Sequence, residues 1–361
     1  MKKHLTSFKV TNFKKFREIS LFDIGQFNLI VGDNSSGKTT LLESLLFDSD
    51  EPIKNISNLY YALSHRSVDV NVEKINFIRE YYLHEKNKER LTYEYQTTLD
   101  DKQERFDVEL KHIDKLDEEQ LTFLRSNRVL FPSFKDFAIF KDGNNSILDI
   151  VSVNDSKSIN DDANSYFNFI PFHIGYQGDL IEFYSKHIQS SRSEKEKFIQ
   201  SLKVIMPDIE DIDITQRSEL DNIAILVVWQ KNLESPLPLS MMGEGFIRLF
   251  RILCEITMCK DARLMIDEID SGIHYSRFEF FIGSIIEMAK LYNVQIFATT
   301  HSLECLSYFT AYIEKNDLVS NRARIFSLVK NSNGDLSSIN YKFEQFKYSL
   351  KNDLEIRGGE L

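Results

Sequence analysis

The chain has 361 residues, 27% of them charged, with 44 basic against 55 acidic side chains and a formal net charge of −11. That length buries a large core and predicts two lobes. The acidic balance excludes a surface that is basic overall, so any nucleic-acid contact has to be local. No apolar run is long enough for a membrane helix, and residues 1–10 lack the apolar stretch of a secretion signal. Cys254, Cys259 and Cys305 are too few and wrongly spaced for a disulfide framework or a zinc site, which predicts reduced core thiols in a cytoplasmic protein.

Residues 5–31 read as strands. Leu5-Thr6-Ser7-Phe8-Lys9-Val10 alternates, a bend follows at Asn12-Phe13-Lys14-Lys15-Phe16, and Ile19-Ser20-Leu21-Phe22 is a second β-rich run. Lys9, Lys14, Lys15 and Arg17 cluster around the bend. A solvated strand edge explains them, and a local DNA contact is the alternative. The apolar run 27–31 then leads into Gly32-Asp33-Asn34-Ser35-Ser36-Gly37-Lys38-Thr39, followed by Thr40-Leu41-Leu42-Glu43-Ser44-Leu45-Leu46-Phe47 with leucines at helical spacing. Buried strand, tight loop and helix are the context that G-x-x-x-x-G-K-[ST] needs. The two glycines let the chain wrap a phosphate, so that backbone N–H groups of the loop and of Thr40 converge on its oxygens. Lys38 brings positive charge to the β/γ-phosphates, the Thr39 hydroxyl is a ligand for Mg²⁺, and the helix points its positive end at the same anion. This stretch predicts a nucleoside triphosphate site.

Between 50 and 230 the pattern is weaker. Residues 56–88 read as mostly helical; 91–99, 106–112, 137–140 and 147–153 read as strands; and 154–164 is a polar loop. Residues 182–205 read as one or two helices closed by Pro207, and 223–229 as an apolar strand. No repeat and no sustained heptad run appears, which excludes a long coiled-coil arm. The last third is clearer. An amphipathic helix over 245–258 is followed by an apolar run, 262–266, that ends in Asp267-Glu268. A helix over 278–291 precedes a buried strand, 294–299, that ends in Thr300-His301. A terminal hairpin (324–329 and 337–343, turning at 331–334) and a polar helix near 345–356 follow. Strand–helix alternation of this kind predicts a parallel sheet covered on both faces.

A P-loop alone does not separate kinases, transport ATPases, GTPases and motors. An Asp at the carboxyl end of a strand beside the P-loop strand can hold Mg²⁺, and the adjacent Glu268 can polarise an attacking water. His301, delivered by a second buried strand, can hydrogen-bond a γ-phosphate. Either element alone has an ordinary structural explanation; in this order, each at a strand end, they support one another.

With these residues in place the chain resembles the ABC-type ATPases of the RecF/SMC/OLD group, the AAA15/AAA21 ATPases. The resemblance rests on Asn12-Phe13-Lys14-Lys15-Phe16, the P-loop, Met242-Gly243-Glu244-Gly245, residues 267–274 and Thr300-His301. It implies an α/β P-loop NTPase of ABC type, with a mixed central sheet flanked by helices, an N-terminal antiparallel β lobe and an α+β insertion. The expected segments are 1–50 and 231–361 for the ATPase head and 51–230 for the inserted lobe. It also implies Asp267 as the Walker B acid, Glu268 as catalytic base, Asp270 in the D-loop, His301 as the switch histidine, and two heads that sandwich ATP and Mg²⁺. Gln177 is the candidate Q-loop glutamine. The signature departs from Leu-Ser-Gly-Gly-Gln and admits two registers; the one aligned on the following helix puts Gly243 at the serine position and keeps Gly245, leaving free helix N–H groups and no methionine side chain against the phosphate. Glu244 and Gly245 then face the partner's nucleotide, and Arg248 would add positive charge. A stand-alone head without coiled coil or Toprim domain resembles the ATPase subunits of bacterial anti-phage systems, which implies a homo-oligomer and a separate effector, nuclease or toxin. A RecF-like ATP-gated DNA clamp is the alternative.

Overall fold

The computed structural model describes residues 4–47, 82–85, 87–98, 100–127, 136–152, 168–177, 179–216, 223–316 and 321–352. Most of the helix expected over 56–88 and the polar loop 154–164 therefore lie outside the described residues.

Two six-stranded sheets carry the architecture. The first is antiparallel: β1 (Leu5–Phe13), β2 (Phe16–Leu21), β4 (Arg90–Thr97), β5 (Asp100–His112), β6 (Asp136–Asp142) and β7 (Ile147–Ser152), in the order β2-β1-β4-β5-β6-β7. The segment 51–230 is thus split by its pairing. Its strands β4 to β7 complete the sheet that β1 and β2 begin, whereas β8 (Phe169–Ile170) joins the second sheet. That second sheet has the order β15-β14-β3-β13-β12-β8, with β3 (Phe27–Gly32), β12 (Arg263–Ile266), β13 (Gln295–Thr299), β14 (Ala323–Lys330) and β15 (Leu336–Lys342). All its neighbours are parallel except β14 and β15, which form the expected hairpin.

Every residue of β3 is buried, as a strand covered on both faces must be. One face of the sheet, with Leu29, Val31, Leu264, Ile266, Ile296 and Ala298, packs on a helical layer: α3 (Asp179–Tyr184), α4 (Arg192–Lys203), α5 (Glu244–Met258), α6 (Phe278–Leu291) and α7 (Leu303–Glu314). The opposite face, with Ile30, Met265, Phe297 and Phe326, packs on α1 (Lys38–Ser44) and the antiparallel sheet. Successive residues point to opposite faces, so β12 and β13 each serve both cores. Tyr93 stacks between Phe47 and Phe106 at ring separations of 4.8 and 4.7 Å, tying the end of the P-loop segment into the antiparallel lobe.

A short sheet of β9 (Ile209–Gln216), β10 (Ala224–Gln230) and β11 (Leu237–Pro238) leads into α5. The helix α2 (Glu118–Ser126), started by an Asp117–Gln120 capping box, packs beside β7. The chain ends its described part in α8 (Phe343–Lys351). Among the described residues no helix is long and apolar enough to cross a membrane, and the three cysteines are buried without disulfides.

Candidate nucleotide site

The P-loop turns between β3 and α1. Asp33, Asn34 and Ser35 form its exposed tip, while Ser36, Gly37 and Thr40 are buried and Lys38 and Thr39 are half-buried. Gly37 caps α1 in the left-handed region (φ 93°), where a Cβ would also stand 3.1 Å from the Phe16 ring, so the position tolerates only glycine. No side chain caps α1, which leaves the first N–H groups of the helix for a ligand. The Lys38 ammonium donates to the carbonyls of Gly32 (2.8 Å) and Asp33 (2.9 Å), holding the loop from inside. Lys15, from the β1–β2 bend, donates to the Ser35 carbonyl from outside at 2.8 Å.

The Thr39 hydroxyl donates to the Asp267 carboxylate at 2.9 Å, across 228 positions of sequence. Here the strand order departs from expectation. The strand that ends in Asp267 is not beside the P-loop strand, because β13 lies between them. All three strands are parallel and finish at one edge, so Asp267 still reaches Thr39 over the end of β13. That end is Thr299, which is fully buried. Its hydroxyl donates to Asp267 Oδ1 at 2.7 Å and accepts from the Glu268 backbone N–H at 2.8 Å. Sequence reasoning passed over Thr299; the signal was a polar residue closing an otherwise apolar buried strand, where a hydroxyl needs a partner.

Glu268 sits in the left-handed region (φ 46°), an unusual conformation for a glutamate. Its carboxylate is 3.9 Å from His301 Nδ1, and both side chains are partly open to solvent. Asp270 follows in the next turn, with Oδ1 buried and without a hydrogen-bond partner among the described residues. Gly272 (φ 74°) closes that turn under the start of α5: a Cβ on Gly245 would lie 3.0 Å from the Gly272 carbonyl. The helix α5 begins at Glu244 with Gly243 as its cap; both residues are exposed, and the space around Gly243 is open.

Two expected residues stand elsewhere. Arg248 is buried, and its guanidinium donates to the carbonyls of Pro171 (2.8 Å), Ile174 (3.0 Å), Asp267 (2.8 Å) and Glu268 (3.4 Å). It therefore does not offer its charge to a partner's phosphate, because these carbonyls of its own chain engage it. Burial lowers its pKa to about 10. Gln177 is exposed on the loop after β8, where its carbonyl accepts from Leu180 N–H. It takes no part in the hydrogen bonds that join Thr39, Asp267 and Thr299.

The donor set suits a triphosphate with a hard divalent cation. The Thr39 hydroxyl and Asp267 carboxylate are oxygen ligands of the kind Mg²⁺ takes, and Ser36 Oγ is buried beside Gly32 without a hydrogen-bond partner among the described residues.

With three parallel strands ending at the edge where the P-loop lies, the fold is that of an ABC-type ATPase head. The chain belongs to the family described as "AAA domain, putative AbiEii toxin, Type IV TA system", whose model matches residues 27–307. It is 24% identical to an "ATP/GTP phosphatase" of Helicobacter pylori over 98% of this chain and 100% of that protein. An uncharacterized protein of Methanocaldococcus jannaschii is 32% identical over 77 residues, 21% of this chain and 68% of that one. Among solved structures, an SMC head bound to the C-terminal winged-helix domain of ScpA superposes with a TM-score of 0.54 at 12% identity, covering 96% of this chain and 99% of that one.

Proposed function

We propose that the protein binds and hydrolyses ATP, that two copies close over the nucleotide, and that this closure regulates a separate effector in bacterial anti-phage defence. The observation that carries the catalytic part is the 2.9 Å contact between Thr39 and Asp267, which joins the P-loop to the strand-end acids. Family membership and the phosphatase relative support hydrolysis. The effector role rests on the family's toxin–antitoxin description, which is analogy.

In this reading the N–H groups of residues 32–40 bind the phosphates. Lys38 exchanges its loop carbonyls for phosphate oxygens. Mg²⁺, held by Thr39 and Asp267, would neutralise charge on the β- and γ-phosphates. Glu268 accepts the proton of the attacking water, and His301 donates a hydrogen bond to the γ-phosphate. Gly243 and Gly245 at the open start of α5 would meet the nucleotide of a second copy, so binding energy becomes a conformational switch. We assign the protein to the cytoplasm.

The test is a pair of variants. Lys38→Ala abolishes ATP binding in a fluorescent-nucleotide titration. Glu268→Gln binds ATP, does not turn it over, and accumulates a dimer by light scattering only when ATP is present. A Glu268→Gln protein of unchanged mass with ATP removes the paired-head reading.

The DNA-clamp alternative receives no support from the basic cluster. Lys9 pairs with Glu18, Lys14 with Glu43 and Arg17 with Asp335, while Lys15 is held on the P-loop.

A further inference from the structure

We infer that Thr299 is a positioning residue that sets Glu268 for hydrolysis and makes the end of β13 the link between the acid pair and the histidine strand. The inference rests on the ATPase reading above. Thr299 lies at the sheet edge because β13 runs between β3 and β12. One hydroxyl does two jobs there: its proton goes to Asp267 Oδ1 at 2.7 Å, and its lone pair takes the Glu268 N–H at 2.8 Å. The backbone repeats the tie one residue on, where Ile269 N–H donates to the Thr299 carbonyl at 3.0 Å. Glu268 therefore hangs between two bonds to the same residue while holding φ 46°, a conformation that costs a glutamate energy and persists only where its surroundings enforce it.

The arrangement also orients Asp267. With Oδ1 engaged by Thr299 and Oδ2 by Thr39, the carboxylate plane is fixed toward the P-loop. Two residues further along the chain is His301, so any displacement of the histidine segment acts directly on the geometry of the base. Thr299 touches neither water nor nucleotide in this scheme and works through Glu268 and Asp267.

The experiment compares Thr299→Val, which keeps the shape and removes the hydroxyl, with Thr299→Ser, which keeps the hydroxyl. A misplaced general base costs about 10- to 100-fold in rate. Thr299→Val accordingly hydrolyses ATP about 10- to 100-fold more slowly in single-turnover measurements, with ATP affinity within about threefold of wild type, and the nucleotide it retains is ATP rather than ADP. Thr299→Ser hydrolyses within about threefold of wild type. A Thr299→Val rate equal to wild type, or a Thr299→Ser loss as deep as that of valine, overturns the inference. If Thr299→Val does not fold, Thr299→Ala, which also removes the hydroxyl, is measured in its place and carries the same expected slowing and the same overturning result. A Glu268→Gln protein that turns over normally sinks the assignment of the base itself; an inactive Glu268→Gln beside an unaffected Thr299→Val sinks only the role of Thr299.

Discussion

Lys38 is a cation that the fold accommodates at a cost. Burial pulls its pKa below the ordinary lysine value, and the nearby carboxylates of Glu268, Asp267 and Asp33 pull it part of the way back. A cation whose pKa is lower in the folded than in the unfolded chain opposes folding. That penalty is fully present below the lowered value and fades as pH rises past it toward the unfolded value. At neutral pH, Lys38→Met without nucleotide is therefore expected to melt no lower than wild type in a thermal scan. ATP with Mg²⁺ raises the melting temperature of wild type and leaves that of the variant unmoved. A variant that melts several degrees lower shows that the bonds of Lys38 to the Gly32 and Asp33 carbonyls outweigh the burial of its charge. The residues that touch phosphate in this account were legible because their pattern is local: eight consecutive positions with fixed spacing. Thr299 was not, because its importance comes from which strand lies between which, and strand order leaves no mark on neighbouring residues.

At the scale of elements, α5 shows both the power and the limit of periodicity. Its apolar stripe, including Phe246, Leu249, Phe250 and Leu253, was readable and packs on the core. Arg248 lies off that stripe, and a charged residue there reads as exposed. The loop after β8 instead covers this side of the helix and turns the carbonyls of Pro171 and Ile174 toward it, while the end of β12 supplies those of Asp267 and Glu268. A second buried arginine, Arg251, is held by Asp179 of α3 and by Glu255 one turn on. Replacing a donor that satisfies buried carbonyls costs about 1–3 kcal/mol for the groups left unpaired. Arg248→Met, which retains bulk, should lower the urea midpoint by about 2–3 kcal/mol of stability with an unchanged slope. A loss below about 0.5 kcal/mol means that water replaces the guanidinium there. The antiparallel sheet was similarly half-legible. The strands β4 to β7 alternate clearly, but the pairing of β4 with β1 joins residues some 80 positions apart, as in Val10 opposite Tyr93, and alternation reports a face rather than a partner.

Across the whole molecule the two sheets share their connections. The β14–β15 hairpin extends the parallel sheet, and Ser338 and Asn340 of β15 donate to the carbonyls of Ser20 and Phe22 at the edge of the other. The strand β3 carries a further consequence, which concerns synthesis rather than catalysis. Its hydrogen-bonding neighbours are β13 and β14, so Phe27 faces Ile296 on one side and Ala323 on the other. A ribosome adding about 5–20 residues per second needs on the order of 15–60 s to reach them from the P-loop. Until then β3 has neither sheet neighbour, and each strand pairing it finally makes closes a loop of most of the chain. Nascent chains stalled before residue 295 should consequently gain no protection of β3 from protease, and chains released past 342 should gain it in one step. Early protection would mean that the N-terminal segment finds a temporary partner. The strand that leads into the P-loop is made long before either of the strands that hold it in the sheet.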